Sequence, residues 1–147
     1  MKLREGDSWI SADEYGRSLS GMGINLLVAD MSRALAFQID VLGAEIVYSD
    51  QDFAVLRGYG TEWMLHADHT YNDHPLSGSL TQDIPRGVGI ELRLHHCDPD
   101  QAEARARAAE CIVLAGALDK PHGLREVYIV DPDGYVWVPD FPIRPPS

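Results

Sequence analysis

From Met22 onward the chain switches repeatedly between two hydrophobic periods. "GINLLVAD" (23–30) reads as a strand, and "MSRALAFQIDVLG" after it places Leu35, Ile39 and Leu42 at helical spacing, with Gly43 as a stop signal. Three short strand-like runs follow, "AEIVYS", "FAVLRG" and "EWMLHAD", separated by the turn-forming "DQD" and "GYGT". A Gly-, Ser-, Pro- and Asp-rich loop from His69 to Gly87 then leads into a second series in the same order. It runs through the strand "GIELRLHH", the Ala-rich charged helix "DQAEARARAAE" and the strands "CIVLAGAL", "LREVYIV" and "YVWVPDF". The order βαβββ therefore occurs twice, in a repeat of roughly 60 residues whose halves each leave a sheet face to be covered. The expected organisation is α+β: a peripheral arm at 1–20, module one at 21–76, a linker at 77–86 and module two at 87–147. Within the arm, Ser11 and Glu14 form a potential capping box for one short helical turn.

Strand alternation sorts side chains into two faces. Ile90, Leu92 and Leu94 oppose Glu91, Arg93 and His95; Ile24, Leu26 and Val28 oppose Gly23, Asn25 and Leu27; Trp63, Leu65 and Ala67 oppose Met64, His66 and Asp68. The apolar sets, with Trp63 and Trp137, are expected against helices. The other face collects Asn25, Met64, His66, Glu91, Arg93 and His95, joined by Val136 and Val138, and suits a small ligand with apolar bulk and a few hydrogen-bonding groups. An alternative for Glu91 and Arg93 is that they pair with each other on an open face. His66 is either an acid/base group or a hydrogen-bonded structural histidine. The run "HADHTYNDH" reads as solvated loop rather than an ion cluster, because His66 and His69 fall on opposite sides of an extended strand end.

Charge narrows the partners. Twenty-three acidic against twelve basic residues give a formal net charge of −11, which repels phosphate backbones and anionic membrane surfaces and favours a cationic or amphipathic guest. Nucleic acid and membrane are therefore not expected as partners. Cys97 and Cys111 form no redox or zinc motif and are expected to be reduced; the amino terminus has no apolar leader, so a cytoplasmic location is expected. "GYGTEW" precedes a strand and is no phosphate loop, and no nucleophile elbow is present.

The stretch "LLVADMSRALAFQIDVLGAEIV" together with "GLREVYIVDPDGYVWV" resembles the vicinal oxygen chelate superfamily of glyoxalase I, extradiol dioxygenases, and fosfomycin and bleomycin resistance proteins. The resemblance covers about residues 22–141. It implies a cup-shaped mixed sheet from paired βαβββ modules, helices on the convex side, a ligand in the hollow and commonly a homodimer. It also implies four metal-ligand positions, which fall here on Gly23, His66, Glu91 and Val138. Glycine and valine offer no donor, whereas a catalytic site ordinarily keeps three protein ligands. No cofactor is therefore expected, although Asp140, two residues beyond Val138 on the same face, would allow a displaced divalent metal site with His66 and Glu91. Two functional readings stay open. One is a small-molecule-binding protein close in character to the bleomycin resistance branch, an antibiotic-resistance type that sequesters its ligand. The other is a metal-dependent lyase, isomerase or thiol transferase of the glyoxalase or fosfomycin-resistance type, with His66 and Glu91 as catalytic candidates. Arg125 and Glu126 are assigned to fold stability.

Overall fold

The computed structural model describes residues 1–80 and 85–144; residues 81–84 of the expected linker and 145–147 at the end of module two lie outside the described residues. The elements run α1 (Ala12–Ser18), β1 (Asn25–Val28), α2 (Met31–Asp40), β2 (Glu45–Ser49), β3 (Phe53–Gly58), β4 (Thr61–Ala67), β5 (Glu91–His95), α3 (Pro99–Ala108), β6 (Ile112–Asp119), β7 (Leu124–Val130) and β8 (Val136–Pro142). Two four-stranded mixed sheets result, ordered β1-β4-β3-β2 and β5-β8-β7-β6. In each, the first strand pairs parallel with the last and the other pairs are antiparallel. The repeated element order is thus a repeated topology, and the α+β glyoxalase-like fold expected from the sequence is the fold observed.

The chain divides into two compact units, Met1–Ser32 with Ala44–Thr81 and Arg33–Gly43 with Gln82–Ser147. In the first unit, β3 and β4 are joined at Gly58–Thr61 by a turn whose central residues, Tyr59 and Gly60, both have positive φ (53° and 76°). That backbone matches the twist of the strands it connects. Leu26, Val28, Ala54, Leu56, Trp63 and Leu65 are buried on the face that alternation assigns to the core, and Leu27 and Val55 are buried on the opposite face as well. The arm begins α1 as the sequence suggests, with the Ser11 hydroxyl accepting from the Glu14 N–H.

In the second unit, α3 is capped by Asp98, whose carboxylate accepts from the Asp100 and Gln101 N–H groups, with Pro99 where the helix has no donor to lose. Phe37 of α2 packs its ring 6.5 Å from Trp137, and both are buried. Ile90 precedes β5 and stays exposed, so the buried face of that strand rests on Leu92 and Leu94. Among the described residues, no helix is long and apolar enough to cross a membrane.

The turn at Asp131–Gly134 fixes the start of β8. One Asp131 oxygen accepts from the Asp133 and Tyr135 N–H groups, and the other takes the Trp137 indole N–H at 2.9 Å. Burial pushes the Asp131 carboxyl up to about 6 despite these bonds. Gly134 has φ +94°, and a Cβ there would lie 2.6 Å from the Pro85 Cα. Gly134→Ala should therefore cost at least about 2 kcal/mol, from backbone strain plus the collision. A urea midpoint unchanged from wild type would show that the turn tolerates a side chain.

Candidate functional site

Register places every predicted site residue on the face that alternation assigned to it. In the first unit, Asn25 sits beside Met64, and His66 is flanked by Leu27 and Phe53. In the second, Glu91 is beside Val136, Arg93 beside Val138 and His95 beside Asp140, while Glu126 flanks Asp140 from the other side. Paired residues share a face, so each sheet carries its own polar set.

The first unit's set is a chain of neutral hydrogen bonds. The His66 Nδ1 lies 2.5 Å from the Asn25 Oδ1, and the Asn25 Nδ2 donates to the Tyr71 hydroxyl at 2.8 Å. An amide oxygen only accepts, so Nδ1 carries the imidazole proton and Nε2 is the acceptor nitrogen. Burial lowers the His66 pKa, which keeps the ring neutral at pH 7. The ring stacks on Phe53 (5.4 Å) and meets Tyr71 at 5.9 Å.

Beside it lies an acidic turn that the sequence reading took only as a strand break. The Asp50 Oδ1 accepts from the N–H groups of Asp52 and Phe53, closing the turn. Asp52, almost wholly buried, accepts from the Leu3 N–H (2.6 Å), the Arg4 N–H (2.9 Å) and His69 Nε2 (2.8 Å). Burial alone would raise this carboxyl, but those donors outweigh it and hold it at about 2. His69 is therefore not the free loop residue its spacing suggested. It lies in a 3-10 turn at Asp68–Tyr71 that swings the ring back onto Asp52.

The second unit's set is ionic. Arg93 donates to Glu91 (2.9 Å), to Glu126 and to Asp140 (3.2 Å), so the pairing of Glu91 with Arg93 weighed from sequence does occur. Glu126 and Asp140 are buried and Glu91 is exposed. His95 bonds Asp140 at 2.9 Å, and His122 and Tyr128 bond Glu126 at 3.3 and 3.2 Å. Burial works against the charge on Glu126, but Arg93 prevails and lowers its pKa. The Arg125–Glu126 pair read as a unit from sequence is split by the pleat. Glu126 joins Arg93, while Arg125 points away and bridges Asp100 (2.9 Å) and Asp119 (3.0 Å). Glu126 was missed because it was grouped with its chain neighbour; its offset of two from Tyr128 on one strand face was the available signal.

The metal implied by the resemblance is not matched by these donors. The Asn25 bond leaves the His66 Nε2 lone pair able to ligate, but Glu91 is tied to Arg93, and Asp140 is fully buried and accepts from Arg93 and His95. Gly23 and Val138 supply nothing, and among the described residues no three His, Cys, Asp or Glu side chains are grouped to hold an ion. A cavity of about 400 Å³ in the second unit, bordered by Phe37, Val41, Cys111, Ile112 and Asp131, is lined by none of the predicted site residues, and burial raises the pKa of its Cys111 thiol.

No protein-family model matches the sequence, and no curated protein does. The fold, however, is shared with solved structures. A glyoxalase/bleomycin resistance protein/dioxygenase from Nocardioides is 21% identical, with a TM-score of 0.62 over 92% of this chain and 95% of that one. A glyoxalase/bleomycin resistance protein/dioxygenase family enzyme from Burkholderia phytofirmans PsJN gives a TM-score of 0.68 at 16% identity, over 82% and 96%. A lactoylglutathione lyase from Agrobacterium tumefaciens gives 0.60 at 21%, over 83% and 92%. At such identities the likeness is one of fold.

Arg93 is the cation on which the second unit's buried carboxylates depend. Arg93→Met should cost about 3–5 kcal/mol at pH 7 by leaving buried charge uncompensated. In the wild type, Glu126 titrates below its ordinary 4.5, so its contribution is complete above that value and fades as pH falls beneath it. In the variant the sign reverses: without Arg93, burial raises the Glu126 pKa above its unfolded value, and stability rises as pH drops from 7 toward 5. Urea melts at pH 5 and 7 that move in parallel for both proteins would refute this assignment.

Proposed function

We propose that this protein binds a small molecule of cationic or amphipathic character on a polar sheet face and sequesters it without turnover, in the manner of the bleomycin resistance type. The observation that carries the reading is the commitment of the site's donors. His66 and Asn25 are bonded to each other in the first unit, and Glu91, Arg93, His95 and Asp140 are linked in the second, while two of the implied ion positions are Gly23 and Val138. Pre-fixed polar groups interleaved with Met64 and Val136 favour recognition, since these side chains need no reordering on binding, whereas Val138 is fully buried. The net charge of −11 favours a positively charged guest. Antibiotic sequestration is the physiological role such a protein would serve.

Two experiments on the full chain decide between sequestration and catalysis. Protein purified without chelators should carry far less than one zinc, nickel, manganese or iron per chain, and should form no S-lactoylglutathione from methylglyoxal and glutathione when those metals are added. In a calorimetric panel of cationic amphipathic compounds that includes bleomycin, at least one should bind with a Kd of about 10 µM or tighter, and His66→Leu should weaken it about tenfold, or 1.4 kcal/mol. Stoichiometric metal with turnover that Glu91→Gln abolishes would establish the lyase reading in its place.

We further propose a homodimer. Ile112, Leu114 and Leu118 lie exposed on β6, an edge strand, and a second copy would cover both the apolar side chains and the open edge. Sedimentation equilibrium should return twice the 16.3 kDa chain mass; a single-chain mass at micromolar concentration would exclude the dimer.

A further inference from the structure

The polar face of the first unit is already partly covered, and by the protein's own amino terminus. Trp9 stacks on Tyr48 with ring centroids 4.7 Å apart and 21° between planes, and lies 6.1 Å from Phe53. Tyr48 is in register with Val55 and Phe53 with His66, so both rings belong to the face that carries Asn25, Met64 and His66. Arg4 brings its guanidinium to the same place, 5.5 Å from the Phe53 centroid and 2.9 Å from the Asp50 Oδ2. The arm thus offers this face a flat aromatic ring and a planar cation side by side, and the face receives them with stacked rings and a carboxylate.

The receiving groups are built without the arm. Asp50 is oriented through its Oδ1 by the N–H groups of its own turn, and the Tyr48 hydroxyl donates to the Oδ2 at 2.6 Å, leaving that oxygen to face a cation. Phe53 is held by stacking on His66. Beyond the bonds of Leu3 and Arg4 to Asp52 and Asp50, by contrast, the arm is lightly attached. Helix α1 contains no buried residue, Trp9 remains 38% exposed, and Tyr15 reaches Glu62 by one bond of 3.2 Å. The segment joining it to β1 passes through Gly21 at φ +70° and an almost fully exposed Met22, and no atom lies within 4 Å of where a Cβ on Gly21 or Gly23 would be. Segments with few buried contacts and an open glycine joint open at low free-energy cost.

We propose that the arm is a tethered stand-in for the ligand: a planar aromatic compound bearing an amidinium or guanidinium group binds the first unit by displacing Trp9 and Arg4 from Tyr48, Phe53 and Asp50. This rests on the reading of the polar faces as a binding site and adds to it both a ligand class and a gate. While the arm is docked, apparent affinity is reduced by the undocked fraction. Removing the indole leaves the stacking position unoccupied.

Benzamidine is the probe, with neutral benzamide as its counterpart of the same shape, and both are titrated against the full chain by NMR. Benzamidine should shift the signals of Tyr48, Phe53 and His66, and should bind Trp9→Ala about tenfold more tightly than wild type. Trp9→Phe, which keeps a ring, should fall between. Benzamide should bind at least about tenfold more weakly, because it lacks the charge that meets Asp50. Trp63 and Trp137 are buried, so acrylamide quenching of tryptophan emission reports mainly on Trp9. In the wild type that quenching should increase at saturating benzamidine, a readout that needs no variant to fold. Equal affinity of wild type and Trp9→Ala, equal affinity for the two probes, or unchanged quenching at saturation would each overturn the gate. Binding of panel compounds with the arm unmoved would overturn it while leaving sequestration standing; metal-dependent lyase turnover would strike at sequestration itself.

Discussion

Parallel pairing of the first and last strand in each sheet is the constraint from which the rest follows. It brings residues distant in sequence into the same row, Asn25 beside Met64 and His95 beside Asp140. Because side chains alternate, the register that buries Leu92, Leu94 and Trp137 also sets Glu91, Arg93 and His95 on the opposite face beside Val136, Val138 and Asp140. A slip of one residue in β5 would bury Arg93 and detach it from its carboxylates. The hydrophobic core and the ion network therefore specify the same register, and each reinforces the other.

The two faces solve the same packing problem with different chemistry. In the second unit a guanidinium lies among carboxylates that are otherwise buried, an arrangement that tolerates no missing partner. In the first unit the His66–Asn25–Tyr71 chain is neutral and fixes one tautomer, and charge is confined to Asp50, Asp52 and Arg4 beside it. The His66 Nε2 keeps its lone pair, but the carboxylates Glu91 and Asp140 are both committed to Arg93. Fixed donors and acceptors are well suited to holding a molecule in one orientation. They are poorly suited to exchanging ligands around an ion.

Much of this was legible in the sequence, for identifiable reasons. Strands such as Phe53–Gly58 and Leu124–Val130 begin and end where turn residues and alternation place them, because short amphipathic strands bounded by Gly and Asp have few competing conformations. Trp63 and Trp137 were placed in the core by parity alone. What parity could not give was partnership across the chain. The bond from His69 to Asp52 depends on a 3-10 turn that a strand-parity argument does not contain, and the grouping of Glu126 with Arg93 depends on β7 and β5 flanking the same strand, β8. The role of residues 1–20 was equally hidden, since the arm is anchored largely through backbone N–H groups that carry no residue-type signal.

That anchoring divides into two kinds of bond with different consequences. Asp52 holds the arm by accepting from the Leu3 and Arg4 N–H groups, bonds any non-proline sequence could make, and its carboxyl, held at about 2, is ionised at neutral pH. Asp50, Tyr48 and Phe53 hold the arm through the Arg4 guanidinium and the Trp9 ring, bonds that only particular chemistry can make. The first kind fixes where the arm starts; the second decides what lies on the face. Since the selective bonds involve side chains and the general ones the backbone, Trp9 and the Arg4 guanidinium can leave the rings while Leu3 remains pinned. The arm need not undock entirely for the face to open, and a partly released arm stays close enough to return when the site empties.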